Sequence, residues 1–335
     1  SGYHRSLAEL QDRKAISRQD LGGNISLSGK SFRAGISIIH SIYSKPVCPN
    51  SSPANIYRFR GRENTAGGIH AKWLLRRTIF FGELAGSHNG GWALLAGLSH
   101  TSANGSIFSL LFREYKAGFQ NPLAQASGRR EHNANERGGK LMMELPVSRE
   151  LSMQASAEHY SYPWITGRSI NRSRGQEYRM RLQYDVSEGH TLSCRYRYRA
   201  AGISHKNEHG WFDLAGREQK HDLQLVSRNS INTSFSIKLQ AGYLILKHPF
   251  PDEPGHGSLL LFKLYFDPEA SPFRLIFSYA LFHTDDYATR MYAGLLRQGD
   301  TLLCDGQIQP CQVAGCLGQV LDKHLCRQGC HLRRG

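Results

Sequence analysis

No run in this sequence approaches the roughly 18 consecutive apolar residues of a membrane-spanning helix. A β-barrel stays open, because alternating strands average their hydropathy away, so the mean hydropathy of −0.46 decides nothing. Acidic residues are also scarce: 27 Asp and Glu against 42 Lys and Arg leave a formal charge of +15. With a pI near 9.6, the expected partner is anionic, either nucleic acid or the anionic head groups of an outer leaflet. The sixteen histidines include no His-Glu-x-x-His, and both the phosphate-cradling glycine loop and the Gly-x-Ser-x-Gly elbow are missing. Gly29-Lys30-Ser31 comes nearest to a phosphate loop, but Asn24 stands where its first glycine belongs. Glu158-His159, His221-Asp222, and His283 with Asp285 and Asp286 could each make an acid–base pair if folded together, but read first as loop or lumen polar groups, and His88-Asn89-Gly90-Gly91 reads as a turn. No enzyme, cofactor or metal site is therefore expected. The chain opens at Ser1 with neither Met nor a signal peptide, so it is either cytoplasmic or short of its true start.

What the sequence does contain is alternation, most clearly from Glu177 to Arg199. Tyr178, Met180, Leu182, Tyr184 and Val186 interleave with Arg179, Arg181, Gln183 and Asp185. After Ser187-Glu188-Gly189-His190, Leu192, Cys194, Tyr196 and Tyr198 interleave with Ser193, Arg195, Arg197 and Arg199. Successive side chains of a strand point to opposite faces, so this is a hairpin with one apolar and one cationic face. In a soluble sheet the apolar face packs on a second layer and the arginines meet water. In a membrane barrel the apolar face meets lipid and the arginines line the interior.

About fourteen strands are expected, at 21–28, 32–43, 55–61, 67–81, 91–101, 107–116, 137–146, 150–160, 175–186, 191–200, 217–228, 233–246, 257–266 and 272–283, with 84–86 inside a connection. Tight turns at Gly29-Lys30, Arg62–Ala66, Ser102–Ser106, Val147–Arg149, Ser187–His190, Asn229–Asn232 and Asp267–Ser271 alternate with longer connections at Ser44–Ala54, Gly82–Gly90, Ala117–Glu136, Ser161–Arg174, Ala201–Gly216, Lys247–His256 and after His283. Short turns at one end and long polar loops at the other favour an all-β, antiparallel up-and-down transmembrane β-barrel over a Greek-key sandwich. The organisation expected is a lead-in at 1–20 with a short helix over Leu7–Ile16, barrel strands over 21–293, and an atypical tail at 294–335.

Gly2-Tyr3-His4-Arg5 with Gly22-Gly23-Asn24, Trp73, Phe80-Phe81-Gly82-Glu83 with Gly90-Gly91, Arg113-Glu114-Tyr115, Asn135-Glu136-Arg137-Gly138 and Tyr162-Pro163-Trp164 resemble, in that order, the barrel portion of Gram-negative helix-hairpin-helix domain proteins. The resemblance covers most of Ser1 to about Tyr292. It implies an outer-membrane barrel preceded by a periplasmic helix-hairpin-helix segment like that of DNA-uptake proteins. That segment is not in this chain, so no DNA contact passes to residues here.

From Gly294 the alternation stops, and five of the seven cysteines fall at Cys304, Cys311, Cys316, Cys326 and Cys330. Cys326–His331 is a weak match to haem or zinc spacing, and five thiols are a disulfide hazard in an envelope protein. A frame-shifted translation accounts better for the break. Codons allowed for Gly294–Arg334, read one nucleotide later, can spell two strand-like runs rich in Tyr, Trp and Arg that resemble the family's closing strands. A barrel without its closing strands would expose unpaired backbone and fold poorly alone.

The functional expectation is a non-enzymatic protein of the bacterial outer membrane, in contact with lipid and with lipopolysaccharide or DNA as further partners. Arg179, Arg181, Arg195, Arg197 and Arg199 form its candidate anion-binding strip in the lumen, or else pair with lumen carboxylates such as Asp185. The other reading is a soluble basic β-sheet protein that binds nucleic acid through its Arg/Tyr faces.

Overall fold

Alternation builds a strand wherever the two sides of the backbone meet different surroundings. In the computed structural model it does so along most of the chain. The structure describes residue 10 and residues 15–130, 133–206, 212–250, 254–268, 273–291 and 314–322, with backbone alone at 206, 212–214 and 314–322. The strands are β1 (Arg18–Ser28), β2 (Phe32–Val47), β3 (Gly61–Leu75), β4 (Thr78–Ser87), β5 (Trp92–Thr101), β6 (Ile107–Tyr115), β7 (Glu136–Pro146), β8 (Leu151–Tyr162), β9 (Ser173–Ser187), β10 (His190–Lys206), β11 (Phe212–Ser230), β12 (Phe235–Lys247), β13 (Pro254–Phe266), β14 (Phe273–Thr284) and β15 (Ala314–Asp322). A 3-10 turn lies at Pro53–Asn55.

The order in the sheet is the order in the chain, from β1 at one end to β15 at the other. The described pairs are antiparallel. A Greek key would return a later strand beside the first, and this meander does not. The chain is thus all-β and up-and-down, with fourteen strands between Arg18 and Thr284, as its alternation predicts.

Two expected strands are misplaced. Of residues 55–61 only Gly61 enters a strand, as the start of β3: Pro53 opens a 3-10 turn, and Tyr57 and Phe59 turn their rings onto Trp164 and Tyr43. Residues 67–81 are not one strand but parts of two, β3 and β4, joined at Arg76-Arg77. Arg76 takes a positive φ of 54°, a conformation for which arginine carries no turn signature. The turn expected at Arg62–Ala66 is accordingly inside β3, 84–86 is inside β4, and the connection after β4 shrinks to 88–91, where Gly90 has φ 81°.

At the ends, β1 begins within the expected lead-in, at Arg18. The expected helix lies outside the described residues except for Leu10, Ala15 and Ile16. Cys304, Cys311, Cys326, Cys330 and His331 lie outside them as well. The backbone of β15 pairs with β14 where the chain as written was expected to form no strand. An open strand edge accepts any extended segment, because pairing is made by backbone groups.

Contacts divide the chain into two units. The first comprises Ser1–Met142, Glu158–Gln176 and Gly202–Ala215. On one face of its sheet Ile25, Ile36, Ile69, Leu84 and Leu94 stand directly opposite one another across five strands. Phe32, Trp73, Phe80, Leu98 and Leu110 make a second such row. Apart from the half-buried Leu94 and Leu98 these side chains are uncovered: Ile25 is 83% exposed and Ile36 63%. The other face is polar, with Ser41 donating to Asp20 at 2.6 Å and Asn64 donating to the Gln120 carbonyl at 2.8 Å. Buried apolar packing gathers where the 116–135 connection folds back, around Ala93, Tyr115 and Phe119.

The second unit comprises Met143–Ala157, Glu177–Ala201 and Gly216–Gly335. Its apolar face has the same form, with rows Leu225, Ala241, Leu260, Leu281 and Leu239, Phe262, Tyr279. The opposite face carries the cations, and there the segment 285–291 lies across β12 and β13. A Cβ on Gly257 would stand 2.1 Å from the Thr289 carbonyl, so only glycine lets that backbone approach. Thr289 is fully buried, and Leu244, Leu246 and Leu259 are buried on the same face.

Candidate functional site

The arginine strip belongs to the second unit. The two-residue turn Glu188-Gly189, with Gly189 at φ 81°, sets the register of the β9–β10 hairpin. Odd-numbered side chains of both strands then share the polar face. At its centre Glu177, only 2% exposed, binds Arg197 Nη2 at 2.8 Å through Oε2 and Arg179 through Oε1. Arg181 donates to Gln183 Oε1 at 3.1 Å. Arg195 donates to the Gln224 carboxamide, whose nitrogen donates to Asp222 Oδ1 at 3.1 Å. The Arg199 Nε is buried without a hydrogen-bond partner among the described residues. Together with Arg197, Lys220 and Asp222 it lines a cavity of about 70 Å3. Asp185 accepts from Gln183 at 3.4 Å, so the carboxylate that gathers the arginines is Glu177.

Register extends the strip beyond what the sequence reading picked out. Lys220 is on the same face of β11 and donates to the Ala288 carbonyl at 3.0 Å. Lys238 of β12 stands directly opposite Arg228 on one side and Lys263 on the other. Like charges directly opposed across strands repel, and this register gathers three cations in one row of the wall. Lysine isolated in alternation gives no hint of its neighbours until register is known. The available signal was that Lys263 interrupts a run of apolar residues in the core of β13.

The other face of the hairpin is aromatic. Tyr178 and Tyr198 stack with centroids 6.0 Å apart, and Tyr196 Oη lies 2.9 Å from His221 Nδ1. Cys194 is a free, half-buried thiol on this face.

The first unit holds a buried ion cluster on its polar face. Arg113 of β6 donates from Nε to Glu136 Oε1 at 2.6 Å and from Nη2 to Glu158 Oε1 at 2.6 Å. The backbone N–H of Arg129 binds Glu136 Oε2 at 2.8 Å, while its guanidinium pairs with Glu158. Two positive and two negative groups thus tie the 116–135 connection to β6, β7 and β8. Paired and hydrogen-bonded, they escape the penalty of isolated buried charge.

Catalytic geometry is not assembled by the neighbours that the sequence places together. Glu158 and His159 are adjacent on a strand and point to opposite faces, as do His221 and Asp222. His283 and Asp285 do meet, at 3.1 Å, in an exposed turn, and Asp286 accepts from the backbone N–H of Thr289. His88-Asn89-Gly90-Gly91 is a turn, closed by Ser87 N–H to the Gly91 carbonyl at 2.8 Å. Among the described residues no group of His, Cys, Asp or Glu is arranged to hold a metal.

No family model matches the chain, and no curated protein does. Among solved structures it is similar to OmpT, an outer membrane protein of Vibrio cholerae in its trimer form, with 7% identity over 80% of this chain and 87% of that one and a TM-score of 0.39. It is similar to an anion-selective porin from Comamonas acidovorans, with 10% identity over 81% and 90% of the two chains and a TM-score of 0.38. OccAB3 of Acinetobacter baumannii shares 10% identity over 83% and 88%, with a TM-score of 0.36. At such values the likeness lends none of those proteins' properties to this chain.

Proposed function

We propose that the chain crosses the bacterial outer membrane as an antiparallel β-barrel and that the cationic wall of its second unit draws anions. The observation that carries this reading is the pair of unlike faces. Uncovered rows of Ile, Leu, Phe and Trp run across consecutive strands, which water-soluble monomers rarely present, while the reverse side is lined with charge. Strands of 9 to 19 residues are long enough to cross a bilayer when tilted. The soluble nucleic-acid-binding alternative would leave those apolar rows in water.

The role is non-enzymatic. Its support is that Glu158 and His159, and His221 and Asp222, fall on opposite faces of their strands, while His283 and Asp285, which do meet, are exposed to solvent. The finer reading, that the barrel is the membrane part of a DNA-handling protein, rests on the family resemblance together with this wall, since phosphate of DNA or of lipopolysaccharide is an anion such a wall attracts.

Reversal potentials across planar bilayers under a salt gradient test the proposal. Anion preference is expected, weakened by charge reversal of Arg195 and Arg197. Unchanged selectivity and unchanged phosphate binding in that variant would overturn the anion reading, and recovery of the chain outside the outer-membrane fraction would overturn the membrane reading.

A further inference from the structure

The long connections of the first unit do more than cap strand ends. Three of them, between β2 and β3, β6 and β7, and β8 and β9, enclose a cavity of about 280 Å3 whose walls include Tyr43, Tyr57, Phe59, Phe119 and Trp164. An apolar cavity of about 150 Å3 holds one benzene ring, so this one has room for two fused rings or a ring with a polar appendage. The walls are pinned rather than loose. Trp164 Nε1 donates to the Pro53 carbonyl at 3.0 Å, and Gln120 Nε2 donates to the Tyr57 carbonyl at 2.9 Å. The Tyr57 and Trp164 rings meet edge to face at 5.1 Å. Such cross-bracing fixes the shape of the cavity before anything enters it.

Two guanidinium groups, Arg58 and Arg130, join this aromatic lining. Among the described residues neither is paired with a carboxylate, and Glu136, an acid whose charge acts on Arg130, is committed to Arg113 and to the backbone of Arg129. Burial, and then the nearby Arg58, hold the Arg130 guanidinium below its ordinary value. Two cations converging on an apolar, half-desolvated space create demand for an anion, and guanidinium is suited to bind a carboxylate through two parallel hydrogen bonds.

We infer that this cavity binds a small aromatic anion, with the ring system against the wall formed by Tyr57, Phe119 and Trp164 and the carboxylate on Arg58 and Arg130. The site is distinct from the cationic wall of the second unit and does not depend on transport through it. Aromatic walls supply stacking surface, and the guanidinium pair rejects a neutral analogue because losing a charge-assisted hydrogen bond weakens binding by about tenfold to a hundredfold.

The test uses the full chain refolded in detergent, with its fold verified by a β-type circular dichroism spectrum and heat-modifiable migration, and 2-naphthoate as the probe. Saturable 2-naphthoate binding is expected by calorimetry, at least about tenfold tighter than that of 2-naphthamide, which keeps the rings, or of acetate, which keeps the charge. R130Q should lose that preference without changing the weak binding of 2-naphthamide. R58Q, an exposed position, gives the same readout should R130Q not refold. Equal binding of the acid and the amide, or no saturable binding by the folded chain, would overturn the inference. So would an unaltered preference in the folded variants. Because the measurement needs no membrane passage, a chain without anion-selective conductance could still pass it, and the reverse.

Discussion

Replacing Glu136 with Gln changes one charge and almost no volume, which isolates the electrostatic part of the buried cluster. In the native chain Arg113 and Glu136 have side chains 0% and 1% exposed, and Glu158 is 9% exposed. The cluster is neutral, two cations against two carboxylates. E136Q leaves it with one excess positive charge in a site closed to water. Removing one partner of a buried pair typically costs about 3–5 kcal/mol. Because Glu158 still binds both Arg113 and Arg129, the lower end, about 3 kcal/mol, is expected. The surface pair of Lys116 and Glu114, 3.1 Å apart with side chains 49% and 22% exposed, provides the control. E114Q should cost no more than about 1 kcal/mol. Urea unfolding in lipid vesicles, followed by tryptophan fluorescence, measures both. Adding R129Q to E136Q restores neutrality and should recover part of the loss. Equal midpoints for E136Q and E114Q would refute the argument that burial, rather than proximity of charge, makes this cluster matter.

Three further outcomes are expected. On the apolar face, Ile36→Lys should destabilise the vesicle-inserted chain by about 2–4 kcal/mol, while Ser37→Lys on the reverse side should cost far less; similar costs would contradict the lipid-facing assignment. Gly257→Ala should displace the 285–291 segment from β13, seen as faster proteolysis after Arg290, and unaltered cleavage would show that the segment is held elsewhere. The Asp285 carboxyl is held below its ordinary value of 3.8 by the backbone N–H of His256 and then by His283. A depressed carboxylate contributes stability that is whole above the unfolded value and is lost as pH falls through the lower folded one. Local opening of this turn should therefore begin only below about pH 3.8, and D285N should show no such acid transition by hydrogen exchange.

Much of the fold was legible because alternation is a local property. The strand bounds at β5, β6, β9 and β14 follow directly from it, and so does the sorting of Tyr178 and Arg179 to opposite faces. Where alternation misled, something other than the strand had recruited the apolar residues. Tyr57 and Phe59 look like strand positions but belong to the wall of a cavity in a connection. Arg76-Arg77 hid a hairpin, because two-residue turns usually announce themselves with Asn or Gly. The arginine strip was readable as a face, but its partner was not. Glu177 opens the alternating stretch with the same parity as Arg179, but its approach to Arg197 depends on the pairing of β9 with β10, while the row of Arg228, Lys238 and Lys263 depends on the registers of two strand pairs. The Arg113 cluster joins residues 45 positions apart in the chain, a separation that single-sequence reading cannot bridge.

The meander also bears on how the chain can assemble. Each strand's hydrogen-bonded neighbour in the sheet is its neighbour in sequence, so each pairing closes a loop no longer than one connection. Closure entropy grows by about 0.6 kcal/mol per doubling of loop length, so the 116–135 connection costs about 2 kcal/mol more to close than the two-residue turn at 188–189. Hairpins at the tight turns should therefore zip first and at comparable speeds, with the longer connections joining finished hairpins afterwards. The contacts of Arg113 with Glu136 and Glu158 span two such joins, one long and one short. They can form only once three strands are in place, which makes that cluster a late lock on assembly rather than a seed for it.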